Sequence, residues 1–310
     1  MRLKKSLNIL DLIIFNRLFV IFIEFKTHII GMKQFIILLA ILFFIITHSQ
    51  TQRFIYELQY KYDSTSSDYQ KVNMILDVSS RDVKFYGRDL LIADSLNKKF
   101  GNMDNRYIDM TGQIVKRKLN SAENENFINI KFGYYTFKTT DEINWVISNE
   151  TKKVQDYTLQ KASAKFGGRS WTAWFNKEIP INEGPFKFQR LPGLIFEIRD
   201  NHNNFIYNLV KSQKIDVNPS TDDFIESNFG NKAIAVSEKQ IRKLMIEFYN
   251  DPFAFERINF SKDNKNLQIN IGGKEVHSLE ELNAETKNMQ EIIKKYYNPV
   301  ELDKAVHYPN

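Results

Sequence analysis

The sequence predicts an α+β protein, mostly antiparallel β, in which a curved, half-barrel-like antiparallel sheet carries two C-terminal helices packed on it. Three observations predict this class. From Phe54 the chain alternates: Phe54, Tyr56, Leu58, Tyr60 and Tyr62 point one way, while Glu57, Gln59 and Lys61 point the other. That is the period of a half-buried strand. Similar short runs recur as far as residue 210 between polar turns, the pattern of hairpins and not of alternating strand–helix units. From residue 237 the apolar spacing becomes helical.

The elements are taken in chain order. Met32-Lys33-Gln34 opens an apolar run from Phe35 to Ile46, followed by Thr47-His48-Ser49-Gln50. A basic start, an apolar core of about 7–15 residues and small residues at the exit describe a secretory signal peptide. The run is shorter than the about 20 residues a membrane-spanning helix needs. Residues 32–49 are therefore expected to be a signal peptide cleaved after Ser49, and residues 50–310 a single domain. Residues 1–31 are apolar but broken by Asp11, Asn16, Arg17 and Glu24, which suits an over-extended start and not an anchor.

The leader also explains the charge. The whole chain has 43 Lys and Arg against 37 Asp and Glu; six of the former and two of the latter lie in 1–49, leaving 37 against 35. A nearly neutral domain gives no support for nucleic-acid binding. There is no cysteine, hence no disulfide, thiol nucleophile, thiolate ligand or lipid-attachment site after the leader. The location expected is the periplasm or the exterior, without a lipid anchor.

Strands are expected at 72–79, 82–86, 105–110, 112–119, 126–138 and 142–148, with 89–99 either a short helix or an irregular crossover. Further on, 153–164 and 170–175 flank Gly167-Gly168-Arg169, a hairpin turn. Leu191-Pro192-Gly193-Leu194 reads as a type II turn. Leu194 to Ile198 and Phe205 to Val210 form the next hairpin. Ser237 with Gln240 makes a capping box for a helix carrying Ile241, Leu244, Met245 and Phe248, ended by Asn250-Asp251-Pro252. Ser278 with Glu281 caps a second helix, with Leu282, Met289, Ile292, Ile293 and Tyr296, stopped at Asn298-Pro299. Gly272-Gly273 suits another hairpin turn.

One stretch carries more than periodicity. Trp145, Thr151-Lys152, Lys161-Ala162, Gly168-Arg169-Ser170-Trp171-Thr172-Ala173-Trp174-Phe175, Ile179-Pro180-Ile181, Gly184-Pro185-Phe186-Lys187-Phe188 and Leu191-Pro192-Gly193-Leu194-Ile195 form an ordered series. The series resembles the GLPGLI family of exported Bacteroidetes proteins, and Asn298-Pro299-Val300-Glu301-Leu302 is similar to that family's closing segment. Arg190 stands where the first motif glycine is expected, and Leu159 where many relatives have cysteine. The resemblance implies location and a β-rich architecture, with Leu191, Pro192, Gly193, Leu194 and Ile195 as turn formers and core packers. It brings no established activity.

The candidate binding residues are Trp171, Trp174 and Phe186, an aromatic wall for an apolar ligand, with Arg169 or Arg190 meeting an anionic group. The competing reading is that these rings fill the core. His202 with Asp200 could be a base and its orienting group, but the pair sits in an Asn-rich turn with no nucleophile-elbow serine. Asp263-Asn264-Lys265-Asn266 lacks the later ligands of a calcium loop. No metal site, cofactor or glycine-rich phosphate loop is expected. The sequence thus favours a non-enzymatic binding or envelope-assembly protein for a hydrophobic ligand or partner. The alternatives are a periplasmic hydrolase using carboxylates or His202, and a structural partner of an outer-membrane protein.

Overall fold

The structure, a computed structural model, describes residues 51–101, 107–216, 219–260 and 269–309. The expected leader and extended start (1–49) lie outside the described residues. Every element named below belongs to one compact unit, Thr51–Asn310.

Twelve strands form one open, curved sheet: β1 (Thr51–Tyr60), β2 (Gln70–Val78), β3 (Asp82–Gly87), β4 (Ile114–Lys118), β5 (Glu123–Ile130), β6 (Gly133–Thr140), β7 (Val146–Val154), β8 (Tyr157–Phe166), β9 (Arg169–Asn176), β10 (Leu194–Asp200), β11 (Phe205–Ile215) and the short β14 (Ile234–Ala235). Their order is β14-β6-β5-β4-β3-β2-β1-β11-β10-β9-β8-β7. Every pairing is antiparallel except β14 on β6. Two small hairpins, β12 (Ser227–Asn228) with β13 (Asn231–Lys232) and β15 (Ile269–Ile271) with β16 (Lys274–Val276), stand apart.

The alternation in β1 does what its period requires. Phe54, Tyr56, Leu58 and Tyr60 are buried on the inner face with Met74, Leu76, Val83 and Phe85 from β2 and β3, and with Trp171, Ala173 and Phe175 from β9. Burying such a run stabilises by roughly 1.5–3 kcal/mol per large side chain. The outer face has its own core, in which Ile75, Tyr86, Ile114, Phe127 and Tyr134 meet α1 (Arg88–Phe100) and Phe224, Ile225 and Phe229. Arg53 also belongs to the outer face, gripping Asp77 with two bonds of 2.7 Å and reaching the Tyr86 hydroxyl at 3.1 Å.

Two helices lie where the capping boxes place them. In α2 (Glu238–Asn250) the Ser237 hydroxyl accepts from Gln240 N–H and the Gln240 side chain accepts from Ser237 N–H. In α4 (Leu279–Lys295) Ser278 accepts from Glu281 N–H, but the Glu281 carboxylate accepts from His277 N–H (2.7 Å) and not from Ser278, so the expected second capping box is only half made. The α2 helix lies against β5 and β6, and α4 packs on α2 and on the short α3 (Ala254–Phe260). Phe253, Val276 and Leu282 form a third, small cluster there.

Some expected boundaries move. The 126–138 run is two strands, split by a turn at Lys131-Phe132, where Lys131 takes φ +52°. The 153–164 run is likewise split between β7 and β8, with Gln155 at φ +53°. In both cases a non-glycine residue adopts the left-handed backbone, which sequence patterning does not announce. Residues 89–99 are helical, as α1, and the described part of 105–110 forms no strand.

Candidate functional site

The connection from β9 to β10, residues 177–193, lies in the trough made by the curved sheet. Its ties run to both halves of the sheet. Trp145 Nε1, just before β7, donates to Gln189 O (2.8 Å), and Gln189 Nε2 donates to Ser121 O (3.0 Å) between β4 and β5. The expected type II turn is not what forms here. Gly193 N–H donates to Leu191 O (2.8 Å), closing a three-residue turn on Pro192, while Leu194 N–H goes to Ile179 O (3.2 Å). Gly193 is required by space as well, since a Cβ there would sit 2.0 Å from Asn176 O. Arg190 takes φ +72°, the left-handed region that favours glycine, and Phe186 takes φ +53°.

Phe188 anchors this loop among Trp171 (4.5 Å between ring centroids), Phe166 (5.7 Å), Tyr207 (6.2 Å) and Phe186 (6.4 Å). The trough is thus filled by the chain itself. Beneath it the loop brings charges inside. Arg117 and Glu183 pair in the core, with Arg117 also donating to Phe186 O (3.1 Å). Burial pushes the Glu183 carboxyl up, and Arg117 opposes that rise.

A second charged group joins the loop to the C-terminal segment. Lys187, 1% exposed, meets Asp141 (2.9 Å) and Glu301 (2.7 Å). Lys304 bonds the same two carboxylates at 2.6 Å each. Burial alone would raise Asp141, but Lys187, Lys304 and the Thr139 hydroxyl outweigh it and hold the carboxyl at about 2. The carboxylates raise Lys304 despite its burial.

The closing segment is fastened a second time, by Arg169. Its guanidinium donates to Val300 O (3.0 Å), Pro299 O (2.7 Å) and Asn298 Oδ1 (2.7 Å) and pairs with Asp200 (3.2 Å). Beside it, Leu302 N–H donates to Gly167 O (2.6 Å). A Cβ on Gly167 would meet Glu301 Cα at 2.9 Å, and one on Gly168 would meet Asp303 N at 3.0 Å. The two glycines therefore serve the hairpin turn and a close approach by the tail.

Between the tail, α2 and the end of the sheet a cleft of about 260 Å³ remains. Tyr60, Tyr62, Ile128, Phe137, Phe186 and Phe205 wall it from the sheet side; Ile241, Met245, Tyr297, Val300 and Val306 wall it from the helix and tail side. Thr139, Glu301 and Lys304 form its polar end, and Met110 and Tyr296, 63% and 48% exposed, stand at its mouth. The charged group at the polar end is balanced, two lysines against two carboxylates; elsewhere in the lining Arg242 pairs with Glu238 at 2.8 Å, and Lys61 has its Nζ 5.1 Å from the Tyr69 ring centroid. Asp109 lies next to the mouth residues Met110 and Thr111. Burial raises its carboxyl, and bonds from Thr111 and Gln113 oppose the rise.

The structure scatters the five residues expected to bind. Phe186 lines the cleft. Trp171 is 1% exposed in the core, its Nε1 donating to Phe166 O (3.0 Å). Trp174 faces outward from β9, with Lys152 and Lys161 Nζ 4.5 and 5.8 Å from the ring centroid. Arg169 is spent on the tail, and Arg190 is half exposed, 3.8 Å from Glu142. Asp200 is buried under Arg169 and accepts Phe205 N–H (2.8 Å), while His202 is exposed on its turn. Among the described residues no group of three or more His, Asp and Glu could hold a metal ion. Sequence reasoning missed Asp141, Lys187, Glu301 and Lys304. The one signal pointing to them was the pairing of Gly167-Gly168-Arg169 and Phe186-Lys187 with the closing Asn298-Pro299-Val300-Glu301.

A family model described as a protein of unknown function (Porph_ging) matches residues 167–197, which run from the glycine turn through β9 and the trough loop into β10. No curated protein matches the chain. Among solved structures, the chain is similar to PNGF-II in the C2 space group, with a TM-score of 0.46 and 14% identity over 63% of this chain and 32% of that one. PNGF-II in the P21 space group gives 0.46 and 13% over 63% and 33%. The chain spans about a third of the length of these structures.

Proposed function

We propose that this protein is a non-enzymatic binding protein for a small, uncharged apolar or amphiphilic ligand, such as an acyl chain or a hydrophobic peptide segment. The observation that carries the reading is the cleft of about 260 Å³, walled mainly by apolar side chains, with a charge-balanced polar end and with Arg242 of its lining paired with Glu238. Concave, mostly apolar sites with a few polar groups are where small ligands bind. We further propose that the protein is a GLPGLI-family member, exported to the periplasm or beyond without a lipid anchor, with Gln50 as the mature N-terminus.

Native mass spectrometry of the protein purified gently from its own envelope fraction tests both parts. The expected result is a polypeptide beginning at Gln50 with a discrete extra mass that the cleft-filling Met245→Trp variant loses. A bare monomer in both proteins, with no uptake of added fatty alcohol or apolar peptide, overturns the binding reading and leaves enzymatic screens for the hydrolase alternative.

A second reading has an observation of its own. Ile92, Leu96 and Phe100 repeat at i, i+4 along α1 and are 42%, 36% and 63% exposed, which favours contact with a protein partner such as an outer-membrane protein. Leu96→Glu separates the two readings, because it should weaken partner association and leave the cleft ligand in place.

A further inference from the structure

The tail that walls the cleft is attached in an unequal way. At its ends it belongs to the helical layer. It leaves α4 at Lys295, and beyond the cleft Tyr308 stacks on Tyr249 of α2 at 4.7 Å, while the Tyr249 hydroxyl donates to Pro309 O (2.8 Å). Its middle, by contrast, is fastened to the sheet and the trough loop by polar groups: Arg169 on residues 298–300, Gly167 O on Leu302, Lys187 on Glu301, and Asp141 on Lys304. Little apolar surface holds this middle down. Only Val300 is buried between 298 and 305, and Leu302 is 43% exposed. Directional polar bonds can be exchanged one by one for water, whereas an apolar seat must be stripped as a whole.

We propose that residues Asn298–Lys304 are a strap whose polar clasp to Arg169, Gly167, Lys187 and Asp141 closes the cleft, and that a ligand enters and leaves when this strap lifts. The inference rests on the cleft being the ligand site. The strap spans the two walls of the cleft, with its ends on one and its clasp on the other, so lifting it widens the cleft without unfolding either wall. Phe186 and Lys187 are consecutive, and Phe186 lines the cleft while Lys187 holds the strap. Ligand contact and strap contact are therefore made by neighbouring residues of one strained turn, with Phe186 at φ +53°.

The chain has no cysteine, so a single engineered pair can lock the strap. A Cβ built at Gly168 lies 3.6 Å from Cβ of Asp303, inside the usual disulfide span of about 3.5–4.5 Å. The experiment follows the fluorescence of the neutral probe N-phenyl-1-naphthylamine with the wild-type protein and with Gly168→Cys/Asp303→Cys, oxidised and then reduced. The expected result is uptake by the wild type and by the reduced variant, and at least tenfold slower uptake and release by the oxidised one. Equal rates in the oxidised and reduced forms, with normal wild-type uptake, overturn the strap while the cleft stands. Failure of the wild type to take up the probe overturns the cleft reading and the strap with it. Gly168 has φ +72°, so the variant could fold poorly, and Arg169→Lys provides the second test. Losing the planar fork should speed probe release several-fold, and an unchanged release rate overturns the strap.

Discussion

Replacing Arg169 with alanine should cost more than any other single change at the β9 turn. The side chain is 3% exposed and serves four acceptors, three of them on the tail. The tail acceptors can be met by water if the strap lifts, so their loss is partly recovered. Asp200 cannot recover in the same way. Its carboxylate is buried, and without Arg169 it keeps only the Phe205 N–H at 2.8 Å and a long bond from Asn204 at 3.5 Å. Removing one member of a buried ion pair costs about 3–5 kcal/mol. For a domain of this size each kcal/mol lowers Tm by roughly 2–4 °C, so a fall of about 10 °C is expected. Arg169→Lys keeps the charge beside Asp200 and should lose about half of that. Urea unfolding of residues 50–310, followed by far-ultraviolet circular dichroism, measures both. An Arg169→Ala protein within about 1 kcal/mol of the wild type would refute the argument that Asp200 is left buried without a compensating partner.

Four further outcomes are expected. Asp141, held at about 2 against an ordinary 3.8, contributes about 2 kcal/mol that is present above pH 4 and lost as pH falls toward 2; Asp141→Asn should destabilise at pH 7 and flatten that acid limb in pH-dependent unfolding. Arg190→Gly should stabilise by about 0.5–1 kcal/mol, because relief of the left-handed strain exceeds glycine's extra chain entropy and the exposed Glu142 pair contributes little; thermal melts will show it. Gly193→Ala should abolish soluble folded protein, since its methyl would overlap Asn176 O, whereas Gly101→Ala, open on all sides at φ +69°, should cost only about 1 kcal/mol in the same melts. Trp174→Ala should leave probe binding in the cleft unchanged, because the ring lies on the outer face between Lys152 and Lys161; a fluorescence titration checks this.

The fold was legible where the determinants are local. The Ser237 capping box, the start of the helix behind Ser278 and the Gly167-Gly168 turn depend on residues a few positions apart, and the structure has them as read. Ser278, by contrast, caps without closing a box, and Ile292 and Tyr296 of its stripe are each 48% exposed. Strand ends were misjudged where Lys131 and Gln155 turn the chain without a glycine. The candidate site was mostly illegible for a different reason. Lys187 and Arg169 look like surface residues until their partners arrive from more than 100 positions away, Glu301 and Pro299 among them. Trp171 and Phe186 were equally apolar on paper, and only the filling of the trough by Phe188 separates a core ring from a wall of the cleft. The reading of Arg190 as a departure from a glycine position has a physical counterpart in its φ of +72°.

The clasp also sets an order of events. Residues 298–304 are synthesised after every strand they fasten, so a growing chain must hold β9 and the trough loop for a time without them. During that interval Lys187 has one carboxylate in place of two, and Arg169 has Asp200 but none of its three tail acceptors. The nascent domain keeps one carboxylate for each of these cations but leaves them short of hydrogen-bond acceptors beside an uncovered apolar surface, a state that water can enter. Maturation is therefore timed by the tail, and a chain lacking those few residues would resemble an arrested intermediate more than a trimmed version of the finished protein.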